Sequence, residues 1–237
     1  MKTRLFEIFT SIEGEGILYG TKTLFIRFAG CPFSCFYCDT PDALPSDSGK
    51  EYSISEACNL IDKNLQNNTY KVNFTGGEPL VQHESVNELA KYIKSKGILT
   101  YLESSCFDSK KFSYVLPSID LVKIEFKTKD SEMVDTKHYT DLIKNTLECL
   151  DASIKMKKIT YIKIVVSSKT ELDNLKTLSE QIFKIASRET ISGFIIQPTH
   201  GVSEPSLEKL LEFYDLVYPY YRDVRVIPQL QKIIDVP

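Results

Sequence analysis

The 237-residue chain lacks any apolar run approaching the ~20 residues that a membrane span needs. Its first residues, Met-Lys-Thr-Arg-Leu-Phe-Glu-Ile-Phe, carry an acid at position 7 and no long apolar segment, so they do not read as a secretion signal. An excess of basic residues is missing as well. Lys and Arg number 29 against 32 Asp and Glu, a formal charge of −3, which speaks against an extensive nucleic-acid interface. No low-complexity linker and no internal repeat divides the chain, and its length suits one domain of barrel or doubly wound size, or at most two small ones. Six cysteines without an export signal point to a reducing cytoplasm, where disulfides do not persist.

Three of those cysteines fall at positions 31, 35 and 38, in Cys-Pro-Phe-Ser-Cys-Phe-Tyr-Cys-Asp-Thr. This C-x3-C-x2-C spacing follows a run from Leu24 to Gly30 that reads as a strand ending in a glycine turn. Thiolates held this closely on a loop can converge on one inorganic centre. Three of them saturate three irons of a 4Fe-4S cubane and leave the fourth iron open to a ligand. A zinc site is the alternative, but zinc normally takes four ligands. Cys58, Cys106, Cys149 and His83 are all remote in sequence, so zinc requires a ligand brought in by folding. The cluster is the favoured reading.

The rest of the chain alternates between strand and helix patterns. Residues 4–9 read as a short strand, 11–20 as a glycine-punctuated loop, and 41–50, with two Pro, two Asp, two Ser and a Gly, as an exposed connection. Ser53 and Glu56 form an S-x-x-E capping box ahead of a helix whose core face holds Ile54, Ala57, Cys58, Ile61 and Leu65, so Cys58 reads as structural. Strands are expected at Leu24–Phe28, Lys71–Thr75, Ile98–Glu103, Leu121–Phe126, Tyr161–Val166 and Phe194–Gln197, with a last one at Val224–Ile227. Helices are expected at Glu84–Lys94, through Tyr139 to Leu150, through Leu172 to Ile185, and at Leu207–Leu216. Repeated strand–helix units imply an α/β fold with a parallel sheet and outer helices. Six strands before the last are too few for a full eight-stranded barrel. The expectation is an open, incomplete (βα)6 barrel, with a doubly wound sheet as the alternative.

Function in such folds collects at the C-terminal ends of strands. The cysteine loop follows the first strand and Thr75-Gly76-Gly77-Glu78-Pro79 the second. The next two end in Glu103-Ser104-Ser105 and Glu125-Phe126-Lys127, and the sixth in Gln197-Pro198-Thr199-His200. Gly76-Gly77 presents bare backbone to a ligand, Glu78 offers a carboxylate to a cationic group, and Pro79 fixes the turn. Alone, this is also an ordinary strand-to-helix turn.

The Cys31–Cys35–Cys38 triplet with Gly76-Gly77-Glu78-Pro79 downstream resembles the radical S-adenosylmethionine (SAM) superfamily. The flanks, Phe9-Thr10-Ser11-Ile12-Glu13-Gly14-Glu15-Gly16, Phe25 to Cys31, Cys38-Asp39-Thr40 and the tail from Gln229 to Pro237, resemble the 7-carboxy-7-deazaguanine synthase family within it. The resemblance implies one radical SAM domain over 1–237, with an N-terminal substrate loop and a tail closing the site. It implies a 4Fe-4S cluster on Cys31, Cys35 and Cys38, whose open iron chelates SAM for reductive cleavage to a 5′-deoxyadenosyl radical. It further implies Mg2+ on Thr40, SAM contacts from Asp39, Thr75, Gly76, Gly77, Glu78, Ser104, Lys127 and Gln197, and pterin contacts from Glu13, Glu15, Arg27, Gln231 and the Pro237 carboxylate. From the residues alone, Thr40 reads equally as a helix cap, Glu15 as a turn residue and Arg27 as a strand-face charge. A flavodoxin- or ferredoxin-type reductant, a homodimer, and neither nucleic acid nor membrane as partner complete the implied picture.

Three departures from the family pattern stand out. Glu13 replaces a usual glutamine, Gln231 a frequent histidine, and Glu125-Phe126-Lys127 a Ser-Pro-Lys segment. Glu13 and Gln231 fall on the implied substrate side. The other readings of the triplet are a glycyl-radical activating enzyme working on a partner protein and a non-catalytic zinc module.

Overall fold

The computed structural model describes residues 1–131 and 136–234. β1 (Lys2–Ile12) and β2 (Lys22–Phe28) form an antiparallel pair, and β3 (Lys50–Ser53) lies antiparallel against the start of β1. From β2 onward the strands pair in parallel: β4 (Lys71–Gly76), β5 (Leu99–Ser104), β6 (Leu121–Phe126), β7 (Ile159–Val166), β8 (Gly193–Pro198) and β9 (Val224–Val226). The nine-stranded order is β3-β1-β2-β4-β5-β6-β7-β8-β9. β3 and β9 are its two edges and do not meet, so the sheet is an open, incomplete barrel, as the strand count anticipates.

Helices α1 (Ile54–Asn64), α2 (His83–Ser95), α3 (Ser109–Val115), α4 (Thr136–Lys155), α5 (Leu172–Ile182) and α6 (Leu207–Val217) cover the outside, and α7 (Leu230–Ile233) lies near the chain end. The two-residue period of a strand decides what each face carries. Outward positions such as Ile26, Phe74, Leu102, Ile124, Ile164 and Ile196 are fully buried against helix residues such as Ala57, Leu89, Ile93 and Leu178. Inward positions carry Arg27, Lys71, Asn73, Glu103, Lys123, Glu125, Lys163 and Gln197. A parallel sheet packed on both faces is normally apolar throughout. Here the inner face is largely polar; Tyr101, Leu121, Tyr161 and Ile195 form a small apolar floor, with Ile17, Leu18 and Ile227 packed against it.

Several local readings hold. Ser53 accepts from the Glu56 N–H at 3.2 Å while Glu56 accepts from the Ser53 N–H at 2.7 Å, closing the capping box. Cys58 is half-buried against the core. Others need correction. β1 runs through Ser11 and Ile12, because both pair with β2, so the loop starts later than its glycines suggest. The 41–50 connection contains a 3-10 turn at Pro41–Ala43 and ends in the start of β3. α5 stops at Ile182, leaving Ile185 beyond it. α3 was not anticipated; Asp108 caps it by accepting from the Lys110 and Lys111 N–H groups at 3.1 and 3.0 Å. Pro237 lies outside the described residues.

Phe74 on β4 is fully buried against Phe28, with ring centroids 6.5 Å apart. Phe74→Ala should cost about 3–5 kcal/mol through lost burial and a cavity, read as a lower urea midpoint at unchanged slope; an unmoved midpoint would contradict the central place given to this strand.

Candidate functional site

The cysteine loop is pinned at its start by the backbone. Gly30 N–H donates to Ala43 O at 2.9 Å and Cys31 N–H to Leu44 O at 3.0 Å, and the Cys38 N–H closes a turn on Cys35 O at 3.0 Å. The end of β4 stacks directly on it: Gly77 N–H donates to Phe28 O at 3.1 Å and Glu78 N–H to Gly30 O at 2.9 Å. Only glycine permits this approach. A Cβ on Gly77 would lie 2.6 Å from Gly30 O and 2.9 Å from the Cys31 Cβ, and one on Gly76, at φ +149°, would lie 2.4 Å from Phe28 O. Glu78 is buried and accepts from the Leu80 N–H and Ser104 Oγ on one oxygen, at 3.0 and 2.8 Å. Its other oxygen accepts from the Ser105 N–H and Oγ, at 2.8 and 2.6 Å. Glu78 therefore clamps the ends of β4 and β5 together, and the bare Gly76-Gly77 backbone is the part left to meet a ligand.

Cys31, Cys35 and Cys38 are half-buried free thiols on the wall of one cavity of about 390 Å³. Burial pushes the Cys31 thiol up to about 12 and raises Cys38 as well, so the charge of bound iron is what would turn them into thiolates. Among the described residues no three Cys, His, Asp or Glu side chains stand close enough to share one ion. Four sulfurs around a single zinc need spacings of roughly 3.8 Å. Three sulfurs on three different irons of a cubane stand farther apart. The donor set and the glycine cradle fit the cluster better than zinc.

Opposite the cysteine loop, the barrel interior holds a chain of charges. Glu125 pairs with Lys123 at 2.9 Å, with Lys163 at 3.2 Å and with Lys127. Lys163 pairs onward with Glu15 at 2.6 Å. Gln229, Gln231 and Gln197 donate their amides to the other Glu15 oxygen at 2.9, 3.1 and 3.2 Å. Deeper, Lys71 donates to Glu13 at 2.5 Å and to Thr23 at 2.6 Å, and Tyr101 donates to Glu103 at 2.7 Å while sharing a hydrogen bond with Tyr161. Nearer the rim, Arg27 donates to Glu7 at 2.8 Å and lies over the Phe9 ring at 5.6 Å.

These environments push two neighbouring carboxyls apart. Burial raises Glu13 to about 7, helped by Glu103 and opposed by Lys71. Burial would raise Glu15 too, but Lys163 and Lys123 overcome it and hold Glu15 at about 2. Lys127 goes well above the usual lysine range, because Glu125 outweighs the effect of burial. Buried ion pairs contribute little net stability after desolvation. Groups perturbed by burial and by specific partners inside a cleft mark a functional site instead.

The cavity brings together Glu13, Glu15, Arg27, the three cysteines, Asp39, Thr40, Thr75 to Glu78, Ser104, Lys127, Gln197 and Gln231. Thr199 and His200 do not line it; His200 is exposed and faces Glu204 at 3.3 Å. Sequence reading missed Glu7, Tyr37, Lys123, Lys163 and Gln229 as lining residues, and did not assign Glu103 and Glu125 to the site. A signal existed for part of this. In Leu121 to Lys127 every second residue from Lys123 is charged within an otherwise apolar strand, a period-two pattern that places them on one face.

Known proteins resemble the chain over its whole length. Residues 12–141 match the family described as a 4Fe-4S single cluster domain. The chain is 30% identical to the 7-carboxy-7-deazaguanine synthase of Methanocaldococcus jannaschii, covering 96% of this chain and 98% of that one. It is likewise 30% identical to the enzyme of that name from Archaeoglobus fulgidus, over 100% of both chains. Among solved structures, QueE from Escherichia coli superposes with a TM-score of 0.64 over 97% of this chain and 94% of its own, at 18% identity, a likeness of fold.

Gly77→Ala should leave the helical and strand signals of circular dichroism intact yet take up well under the ~4 Fe of a cubane on anaerobic reconstitution; full iron loading would show that the Gly77–Cys31 contact is not required. Glu13, raised above its unfolded value, stabilises the fold below pH 4.5 and loses that contribution as pH rises to about 7. Unfolding free energy measured across this window should therefore fall more steeply in the native chain than in Glu13→Gln, and equal slopes would rule the burial of Glu13 out as their cause.

Proposed function

The chain belongs to the 7-carboxy-7-deazaguanine synthase family of radical SAM enzymes, and we propose that it carries out the reaction for which that family is named. 6-Carboxy-5,6,7,8-tetrahydropterin is contracted to 7-carboxy-7-deazaguanine with loss of ammonia, a step toward queuosine and related deazapurines. The observation that carries this reading is one shared cavity: the three-cysteine loop, the Gly76-Gly77 backbone and the Glu13, Glu15 and Arg27 side chains all line it. Its volume of about 390 Å³ falls in the range of small-molecule sites, which favours a small substrate over the glycyl-radical partner of an activating enzyme.

Cys31, Cys35 and Cys38 hold the 4Fe-4S cluster. When bound, cluster and SAM together supply the one-electron cleavage that starts the reaction. The chain's own residues bind and orient. Gly76, Gly77, Ser104 and Lys127 line the SAM side, where the bare backbone lets a ligand approach closely and the Lys127 ammonium, 3.4 Å from the Tyr37 hydroxyl, stays charged. Arg27 lies on the pterin side, where its planar guanidinium suits a carboxylate. Arg27 donates to Glu7 at 2.8 Å, and the pterin carboxylate replaces or joins that partner.

Thr40 and Asp39 take Mg2+. Thr40 sits at the cap position of the Pro41–Ala43 turn but makes no side-chain cap bond; its hydroxyl donates to Asp39 at 3.2 Å. Two adjacent hard oxygens on the cavity wall are the donors this ion prefers. The tail closes the cavity: Leu230 N–H donates to Gly14 O at 3.0 Å, and Gln229 and Gln231 reach Glu15. Asp39, Thr75, Glu78 and Gln197 complete the lining, and the whole chain works as one cytoplasmic domain, as a homodimer, with a flavodoxin- or ferredoxin-type electron donor.

The anaerobically reconstituted chain should bind ~4 Fe and convert carboxytetrahydropterin with SAM, reductant and Mg2+, detected as deazaguanine carboxylate by mass spectrometry. Cluster-loaded protein that cleaves SAM and leaves the pterin unchanged would overturn the substrate assignment.

A further inference from the structure

We propose that Glu125 is a positioning residue for the cluster: it pins the Lys127 ammonium beside the cysteine loop, offsets its charge, and so sets the reduction potential lower than a neutral residue at 125 would. This rests on the reading that Cys31, Cys35 and Cys38 hold a 4Fe-4S cluster, and goes beyond it to how readily that cluster accepts its electron.

Glu125 stands at a departure from the family pattern, which has Ser-Pro-Lys where this chain has Glu-Phe-Lys. The two-residue period of β6 decides where the three side chains go. Phe126 is fully buried in the outer core, while Glu125 and Lys127 line the cavity together with Lys123. One Glu125 oxygen accepts from Lys127, and the other accepts from Lys123 and Lys163 at 2.9 and 3.2 Å. One carboxylate therefore holds three ammonium groups, and all four side chains are buried.

Lys127 is the member of this group that faces the cysteine loop. Its ammonium lies 5.3 Å from the centroid of the Tyr37 ring and 3.4 Å from the Tyr37 hydroxyl, and Tyr37 stands between Cys35 and Cys38. Burial raises the Cys31 and Cys38 thiols, and the Lys127 charge acts on both in the opposite sense. Glu78 opposes Lys127 at Cys31, and Asp39 opposes it at Cys38. The cysteines thus feel a cation whose own counter-charge is Glu125.

Reduction by one electron from the flavodoxin- or ferredoxin-type donor places one more negative charge on the cluster and its thiolates. A nearby cation favours that state and a nearby anion opposes it, because the potentials of iron–sulfur centres follow local charge, hydrogen bonding and exposure. With Glu125 in place, Lys127 acts as one half of a neutral pair. Without it, the Lys127 charge acts in full. Burial strengthens these forces and shields them from salt.

The test is a potentiometric titration of the cluster-loaded chain, followed by the electron paramagnetic resonance of the reduced cluster. SAM is left out so that ligand binding does not enter. Glu125→Gln should favour the reduced cluster by about tenfold, a rise of about 59 mV for one electron. Lys127→Met, which leaves Glu125 without that cation, should move the potential by a similar amount in the other direction. Glu125→Asp keeps the charge and should stay near the native value. Opposite signs are what charge demands, whereas loosened packing would move both variants the same way. Should Glu125→Gln not fold, Lys127→Met and Glu125→Asp carry the test. Shifts of equal sign, a Glu125→Asp shift as large as that of Glu125→Gln, or native potentials in both charge variants would overturn the proposal. Those outcomes leave the cluster reading standing, whereas a native chain that forms no cluster removes both.

Discussion

Burial of charged side chains inside an open barrel is the constraint on which the rest of this structure depends. Glu15, Lys163, Glu125, Lys123 and Lys127 form one connected chain of ion pairs with almost no exposure to solvent. Such a chain survives only because each charge meets an opposite one, and because the helices outside bury enough apolar surface to offset the desolvation. The polar interior explains the otherwise odd mixture of residues within strands, and it fixes which of them can touch a ligand.

The two ends of that interior are coupled through backbone. Gly30, Gly76 and Gly77 let the end of β4 lie on the cysteine loop, and Glu78 ties the same turn to Ser104 and Ser105 at the end of β5. At the other end the tail residues Gln229 and Gln231 bridge to Glu15 in the N-terminal loop. The cysteine loop and the N-terminal loop thus share one lumen, and the Gln229 amide touches both, donating to Glu15 at 2.9 Å and to Asp39 at 3.4 Å. This is the arrangement expected where a cofactor starts a reaction on a separately held small molecule.

What the sequence disclosed and what it hid divide along physical lines. Cys31, Cys35 and Cys38 lie within eight positions and Gly76 to Pro79 within four, so local spacing suffices to find them. Apolar periodicity located the strands and most helices, because the outer face is a continuous core. It failed where composition misleads: β3 follows a stretch rich in Pro, Ser and Gly, and Ser11 and Ile12 follow the register of β2 rather than their own propensity. Lys163 was passed over as a lone charge in an apolar run, and Lys123 because an alternating charged face also fits a solvent-facing strand; only barrel curvature makes that face an interior. The Glu15–Gln229 contact joins residues 214 positions apart and leaves no local trace. Glu13 was recognised as a departure from the family pattern, but its compensating partner, Lys71, was legible only in the fold.

An anaerobic crystal structure of the cluster-loaded chain with SAM and carboxytetrahydropterin tests the central claim most directly. The account predicts the pterin inside the barrel, between Arg27 and Glu15, with SAM against Gly76 and Gly77. A pterin bound outside the lumen, or a SAM molecule filling the space between Arg27 and Glu15, would contradict it.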